Sequence, residues 1–344
     1  MKSLSRWFVL ISLFAFLLSA CAPAAPIAAP VSAVTQPAAT YAAPKATASY
    51  PPAQSQPTVK SSAYPAAQTI VVKDGLGRDI TIPMPPKRIL SLAPSNTELL
   101  FAVGAGAQMV GRDEYSNYPE EAKKLQSVGT MRKMNTEAVV ALKPDLVLAA
   151  GITAPEQIKA LEELKLTVFA ISNPKDLDGL YANISLVGKI TGNDARAAAL
   201  VSQLKQRVAA VSEKVKTAKT QPRVFYEMDG TDPLKPYTAG PGTFLDTLVT
   251  MAGGKNVGGV LKEPWAQMSS EEIVKQDPEI IILGDAAYGV KPEDVAKRAG
   301  WDKISAVKNK AVYPFNDDLT SRPGPRLVDG LEELAKLIHP ELFK

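Results

Sequence analysis

The sequence predicts an α/β protein made of two α/β lobes with mostly parallel sheets, joined by a long rigid backbone helix. Three observations carry that prediction. First, one helix–proline–strand unit occurs twice. Asn135 to Gly151 reads Asn-Thr-Glu-Ala-Val-Val-Ala-Leu-Lys-Pro-Asp-Leu-Val-Leu-Ala-Ala-Gly, and Ser269 to Leu283 repeats its order of cap, acid, proline, acid and apolar strand. Glu137 to Glu271 and Pro144 to Pro278 share one offset of 134 residues, as expected of two related lobes. Second, apolar runs of strand length alternate with helical patterns, the sign of parallel sheets covered on both faces. Third, Asp194 to about Ala218 carries Leu200, Leu204, Val208, Val211 and Val215 at spacings of 4, 4, 3 and 4, a single helical stripe. About 25 residues at 1.5 Å each span nearly 40 Å. That is more than one small lobe needs, so the helix reads as a strut, not a hinge.

The N-terminus stands apart from this fold. Lys2 and Arg6 precede the apolar run Trp7 to Leu18, which is short for a membrane span and suits a signal peptide over residues 1–20. The run ends in Leu18-Ser19-Ala20-Cys21, which looks like a bacterial lipobox with Cys21 as the lipid-bearing thiol. The bland alternative is a secretory signal with a chance cysteine. Cys21 is the only cysteine, so a disulfide is excluded. Residues 21–67 are Ala, Pro, Ser, Thr and Gln with few large apolar side chains, a composition that predicts a disordered tether. The formal charge of +4 falls to +2 without Lys2 and Arg6, which gives nucleic-acid binding no support. The remainder divides into an N-terminal lobe (68–172), linker helices (173–219) and a C-terminal lobe (220–344).

In chain order, Thr69 to Val72 and Ile80 to Ile82 predict a hairpin around Asp74-Gly75-Leu76-Gly77. Arg88 to Leu92 is a strand running into a helix from Pro94 to Gly104, with several possible caps. Met109-Val110 leads to the polar loop Arg112 to Pro119; then come a helix (Pro119 to Lys124), a short strand at Ser127-Val128 and the loop Gly129 to Met134. In the repeated unit, Asn135 caps the helix, Glu137 sits where the dipole favours an acid, Pro144 ends it and Leu146 to Ala149 is a strand. Pro155 to Leu164 is helical, Thr167 to Ala170 extended, and Leu177 to Ile190 a helix closed by Thr191-Gly192-Asn193. The second lobe starts with the strand Arg223 to Glu227. Tyr237 to Thr243 follows, then Trp265, the second unit, a strand at Lys310 to Phe315, the loop Asp318 to Arg326 and a helix from Leu327 to Ile338.

The residue inventory excludes several chemistries. His339 is the only histidine and lies near the end of the last helix, so a site built on several His is excluded and the ring reads as a helix-end group. There is no P-loop, no Gly-x-Ser-x-Gly and no triad histidine, which leaves an enzyme unsupported. What remains is a binding protein. Ser95, Asn96, Tyr115, Tyr118, Met131, Tyr237, Trp265, Asp318 and Arg322 fall on segments expected at strand ends. There a ligand of an open α/β sheet binds, in this case between the lobes. Tyr115, Tyr118 and Trp265 are each open to reading as half-buried lobe residues, but their common placement on loops favours a cleft. Arg322 and Arg326 flank Pro323-Gly324-Pro325. Either suits a staple to Asp318 or an anionic or amide-bearing ligand; Arg322 is assigned to ligand and Arg326 to structure with an acidic partner.

Several segments together resemble one family. Pro86-Lys87-Arg88-Ile89-Leu90-Ser91-Leu92-Ala93-Pro94-Ser95-Asn96-Thr97-Glu98, Tyr115-Ser116-Asn117-Tyr118-Pro119, Met134-Asn135-Thr136-Glu137 and Pro264-Trp265-Ala266-Gln267 look like the Fe/B12-type periplasmic substrate-binding proteins of ABC importers, most of all the vitamin B12 receptors. The resemblance implies that Tyr115, Trp265, Asp318 and Arg322 line a corrinoid cleft. It also implies that Glu137 and Glu271 dock, one per lobe, onto arginines of a permease dimer served by an ATPase. The chain would be a monomeric, lipid-anchored protein outside the cytoplasm with no cofactor of its own. Met131 stands where the B12 receptors carry a cleft tryptophan. A corrinoid brings its own lower axial base and needs no protein ligand to its metal. A ferric siderophore would draw on Arg112, Arg132, Lys133 and Arg322, and haem on an axial tyrosine such as Tyr115, Tyr118 or Tyr237. The inventory ranks them in that order.

Overall fold

The computed structural model describes residues 68–130 and 132–344, so the signal segment, the tether, Cys21 and Met131 lie outside the described residues. β1 (Gln68–Lys73) and β2 (Asp79–Met84) form the predicted antiparallel hairpin. Its turn closes on the buried Asp74 carboxylate, which accepts from the Leu76 and Arg78 amides and the Arg78 guanidinium. β3 (Ile89–Ser91), α1 (Pro94–Ala102), β4 (Met109–Arg112), β5 (Gln126–Ser127), α2 (Thr136–Ala141), β6 (Leu146–Ala150), α3 (Pro155–Glu163) and β7 (Val168–Ile171) complete the first lobe. Its parallel sheet runs β5-β4-β3-β6-β7. Every residue of β3, β6 and β7 is buried, as parallel strands covered on both faces must be.

α4 (Leu177–Thr191) begins at Asp176, whose side chain accepts from the Gly179 amide, and stops at Gly192, left-handed at φ 73°. α5 (Asp194–Val215) is the predicted strut at 22 residues, about 33 Å long. The stretch from there to Ala218 continues only as turns. α4 packs on α1 and β2, and α5 packs on α4 and on α11 (Leu327–Ile338), the helix that closes the second lobe. One core therefore passes from Leu99 and Leu100 through Leu180 and Leu204 to Leu248 and Leu331.

The second lobe contains β8 (Arg223–Glu227), β9 (Tyr237–Ala239), α6 (Phe244–Met251), β10 (Lys255–Asn256), β11 (Trp265–Gln267), α7 (Ser270–Gln276), β12 (Ile280–Leu283), α8 (Pro292–Val295), α9 (Ser305–Lys308), β13 (Val312–Pro314) and α10 (Asp318–Ser321), which precedes α11. Its parallel sheet runs β10-β8-β12-β13, the same neighbour order as β4-β3-β6-β7.

The repeated unit is the same device in both lobes. Asn135 caps α2 by accepting from the Ala138 amide at 3.0 Å, and Ser269 caps α7 by accepting from the Glu272 amide at 3.2 Å. Each helix ends in a left-handed residue before the proline, Lys143 at φ 44° and Asp277 at φ 47°. An arginine at the head of the neighbouring strand then takes the free carbonyls. Arg88 donates to Leu142 and Lys143, and Arg223 donates to Gln276 and Asp277. The acid after the proline returns the bond: Asp145 accepts from the Lys87 and Arg88 amides, Glu279 from the Arg223 amide.

Four expectations change. α1 has no side-chain cap; Pro94 opens it at a position where its missing N–H costs nothing. Glu120–Lys124 is a single tight 3₁₀ run and not an α-helix. The segment from Asp318 starts with the helical turn α10. Tyr237 and Trp265 are not on loops: β9 and β11 pair antiparallel, Trp265 opposite Ala239 and Gln267 opposite Tyr237. Three-residue strands are too short for an alternation signal to emerge from the sequence.

Candidate functional site

The carboxyl ends of β3, β4 and β6 lead into α1, the Tyr115 loop and the Ile152–Thr153 turn. Those of β8, β12 and β13 lead into residues 228–236, the Gly284–Tyr288 turn and the Asp317–Arg326 segment. Contacts between the lobes join these same edges. Arg326 grips Glu98 of α1 with Nε at 2.9 Å and Nη2 at 2.5 Å, and Arg322 donates to the Asn117 side chain at 2.6 Å. The two carboxyl edges therefore face and touch each other, and it is at such edges that doubly wound sheets take their ligands.

Where the two edges meet, the charges are paired. Glu98 is buried among its partners, and the Arg326 guanidinium sits over the Tyr118 ring, 4.1 Å from its centroid. Burial pushes the Glu98 carboxyl above the ordinary range, and Arg326 pulls against that shift. Arg322 contacts Asp318 at 2.8 Å and approaches Glu98 at 3.6 Å. The predicted acidic partner of Arg326 is thus Glu98, from the other lobe. Arg322, assigned to ligand, is held by Asn117 and Asp318 in this conformation. Beside it the hydroxyls of Ser91, Thr97 and Ser116 link at 2.8 Å, and Ser116 donates to the buried Asp113, whose carboxyl burial raises.

The aromatic candidates lie nearer solvent. Tyr115 is 61% exposed on the first lobe; Tyr237 and Trp265 are exposed on the β9–β11 ribbon, with Trp265 tilted on Phe244 at 5.4 Å. Ser95 and Asn96 sit in the first turn of α1 and are buried, the Asn96 amide donating to the Leu148 carbonyl at 3.2 Å. Two exposed side chains escaped the sequence reading: Ile152 after β6 and Tyr288 after β12, the latter 87% exposed. Their signal was available, since each follows a copy of the repeated strand within a few residues. In the second lobe Glu227 is fully buried and paired with Arg298, which stacks on Trp301. Asp285, buried next to it, accepts from the Gly230 amide at 2.7 Å but leaves Oδ1 without a partner. Burial, and then Glu227, push its carboxyl up to about 6.

Among the described residues no group of three or more His, Cys, Asp or Glu could hold a metal ion. His339 is buried, with Nε2 3.2 Å from the Gly253 carbonyl and Nδ1 3.2 Å from Glu341. Glu137 and Glu271 are both exposed in the first turns of α2 and α7. Glu272, next in sequence, is engaged by Lys275 and Gln276. A depression of about 260 Å³ beside α7, lined by Leu234, Ser270, Lys297 and Arg298, is below the roughly 300–1,000 Å³ of small-molecule sites.

A family model described as periplasmic binding protein matches residues 89–319. An ABC transporter substrate-binding lipoprotein of Bacillus subtilis, itself uncharacterised, is 38% identical over 280 residues, spanning 80% of this chain and 87% of its own. A cobalamin-binding protein of Halobacterium salinarum is 31% identical over 278 residues, spanning 77% and 73%. Among solved structures, a possible iron-binding periplasmic solute-binding protein of Staphylococcus epidermidis matches with a TM-score of 0.66 at 31% identity, over 74% of this chain and 99% of that one.

Proposed function

The chain belongs to the periplasmic binding protein family, and on that premise we propose that it captures a corrinoid between its lobes and delivers it to an ABC importer. Members of this family are binding proteins, not enzymes, and act outside the cytoplasm. One observation carries the choice of ligand. Both carboxyl edges present exposed apolar or aromatic side chains (Tyr115 and Ile152 from one lobe, Tyr237, Trp265 and Tyr288 from the other), while the sole imidazole is buried elsewhere with both nitrogens occupied. Such walls suit a large planar macrocycle whose metal brings its own ligands. An anionic siderophore is the second reading, and it depends on freeing Arg322. Haem, the third, needs an axial Tyr, of which Tyr115 and Tyr237 are exposed.

The mature protein is titrated with cyanocobalamin, cobinamide, haemin and a ferric siderophore, by calorimetry and tryptophan fluorescence. Saturable heat and quenching with the corrinoids at about micromolar concentration are expected, the quenching lost in Trp265→Phe. Silence with both corrinoids and binding of haemin or the siderophore would transfer the assignment.

Delivery is assigned to Glu137 and Glu271, exposed at equivalent positions of the two lobes and so fit to meet a two-fold partner. The double alanine variant should keep its ligand affinity and lose transport through the reconstituted importer; normal uptake would reduce both acids to helix-dipole partners. The anchor is assigned to lipid on Cys21, which metabolic labelling with a fatty acid and its loss in Cys21→Ser would test.

A further inference from the structure

Anionic cargo is bound by guanidinium or ammonium groups free to receive it. In this cleft the two arginines that reach across the lobes are already matched. Arg326 is held by both oxygens of Glu98, at 2.9 and 2.5 Å, and Arg322 by Asp318 at 2.8 Å with Glu98 at 3.6 Å. The Glu98 side chain is 2% exposed, that of Arg326 8% and that of Arg322 14%. Gly324 packs over the arrangement so closely that a Cβ there would stand 3.2 Å from Glu98 Oε2. Asp113 and Asp317 also feel the charge of Arg322, so two further acids lie within its electrostatic reach. A multiply charged anion entering here must displace a buried, bidentate carboxylate or lie against it. Like charges in a site of low dielectric repel strongly.

We propose that Glu98 determines specificity: it is the chain's own anion, seated on the Arg322–Arg326 pair, and it bars polyanionic metal complexes while admitting electrically neutral, amide-bearing ones. The proposal rests on reading the cleft as a metal-complex site. Selection of this kind works by a built-in repulsive element. The amide side chains of a neutral complex can still bond to Asn117 and to the partly exposed Asp318 without breaking the pair beneath.

The mature chain is tested with citrate as a trianionic probe and cyanocobalamin as a neutral one. Thermal unfolding of the wild type should not respond to citrate. Glu98→Gln keeps the shape and removes the charge; citrate should then raise its melting temperature and bind at least about tenfold more tightly than to the wild type. The gain should shrink in about 0.5 M salt without vanishing, because charges in a largely buried site are screened less than exposed ones. Asp318→Asn, at a side chain one-third exposed, should shift the same way by less, and it decides the matter if Glu98→Gln proves unfolded by circular dichroism. The double variant should show the largest gain. Folded variants that citrate protects no better than the wild type would overturn the role of Glu98, as would a wild type that citrate protects equally. Cyanocobalamin reports separately: if the wild type ignores it while the variants gain citrate, the corrinoid reading falls and the charge gate stands.

Discussion

The two lobes agree at the amino ends of their strands and differ at the carboxyl ends. At the amino ends both use a left-handed residue that closes the preceding helix, a proline and an arginine donating to that helix's last carbonyls. At the carboxyl ends the first lobe ends β3 in hydroxyls, Ser91 with Thr97 and Ser116, whereas the second ends β8 in Glu227, a fully buried carboxylate that requires Arg298. After β6 comes Gly151; its counterpart after β12 is Asp285. Duplication preserved the end that holds each lobe together and released the end that faces the cleft. The shared ends thus close each lobe separately, while the divergent ends carry the contacts that join one lobe to the other.

The largest effect should come from the contact that belongs to neither lobe alone. Arg326→Ala strands the buried Glu98 and should cost about 3–5 kcal/mol. In urea, followed by fluorescence and circular dichroism, one transition should become two as the lobes uncouple. A single transition shifted by less than about 1 kcal/mol would show that the lobes cohere through the α4–α5 core instead. Next comes Asp285, which has no equivalent in the first lobe. Its folded carboxyl titrates near 6, against 3.8 in the unfolded chain, so the native state holds a proton that the unfolded state has released. Stability therefore falls as pH rises from about 4 to 6, by up to about 3 kcal/mol. Asp285→Asn should regain that amount above pH 6 and nothing below pH 4; a pH-independent effect would remove the linkage. The smallest effect tests the likeness itself. Arg88→Met and Arg223→Met should each cost about 1–2 kcal/mol, and a clear inequality between them would mean that the two units only look alike.

Much of this is legible in the sequence alone. The alternation, the strut and the duplication follow from periodicity and from caps, which are local. Arg88 and Arg223 do not read as partners of the duplicated unit, because they lie 135 residues apart, not 134, and because their carbonyl partners are more than 50 residues away along the chain. The pairing of Glu98 with Arg326 spans 228 positions, and no local rule reaches that far. The ribbon bearing Tyr237 and Trp265 stayed hidden because long-range pairing alone creates it. Conversely, the free state of Glu271 beside the engaged Glu272 needed side-chain geometry, since both occupy the same first turn.

The 22-residue α5 has one more consequence. It is bound to the closing helix through Arg207, which reaches Asp329 at 2.6 Å and Glu332 at 2.7 Å, and to the first lobe through α4. On the proposed function its length therefore bears on two intervals at once: the width available to a ligand and the distance between Glu137 and Glu271. Inserting four residues would advance one end by about 6 Å and turn it by about 40°, changing both intervals together. On that reading, a wider cleft could not be obtained by lengthening α5 without also changing the distance between Glu137 and Glu271. Adaptation to new cargo is thereby steered away from the strut and towards the side chains on the facing edges.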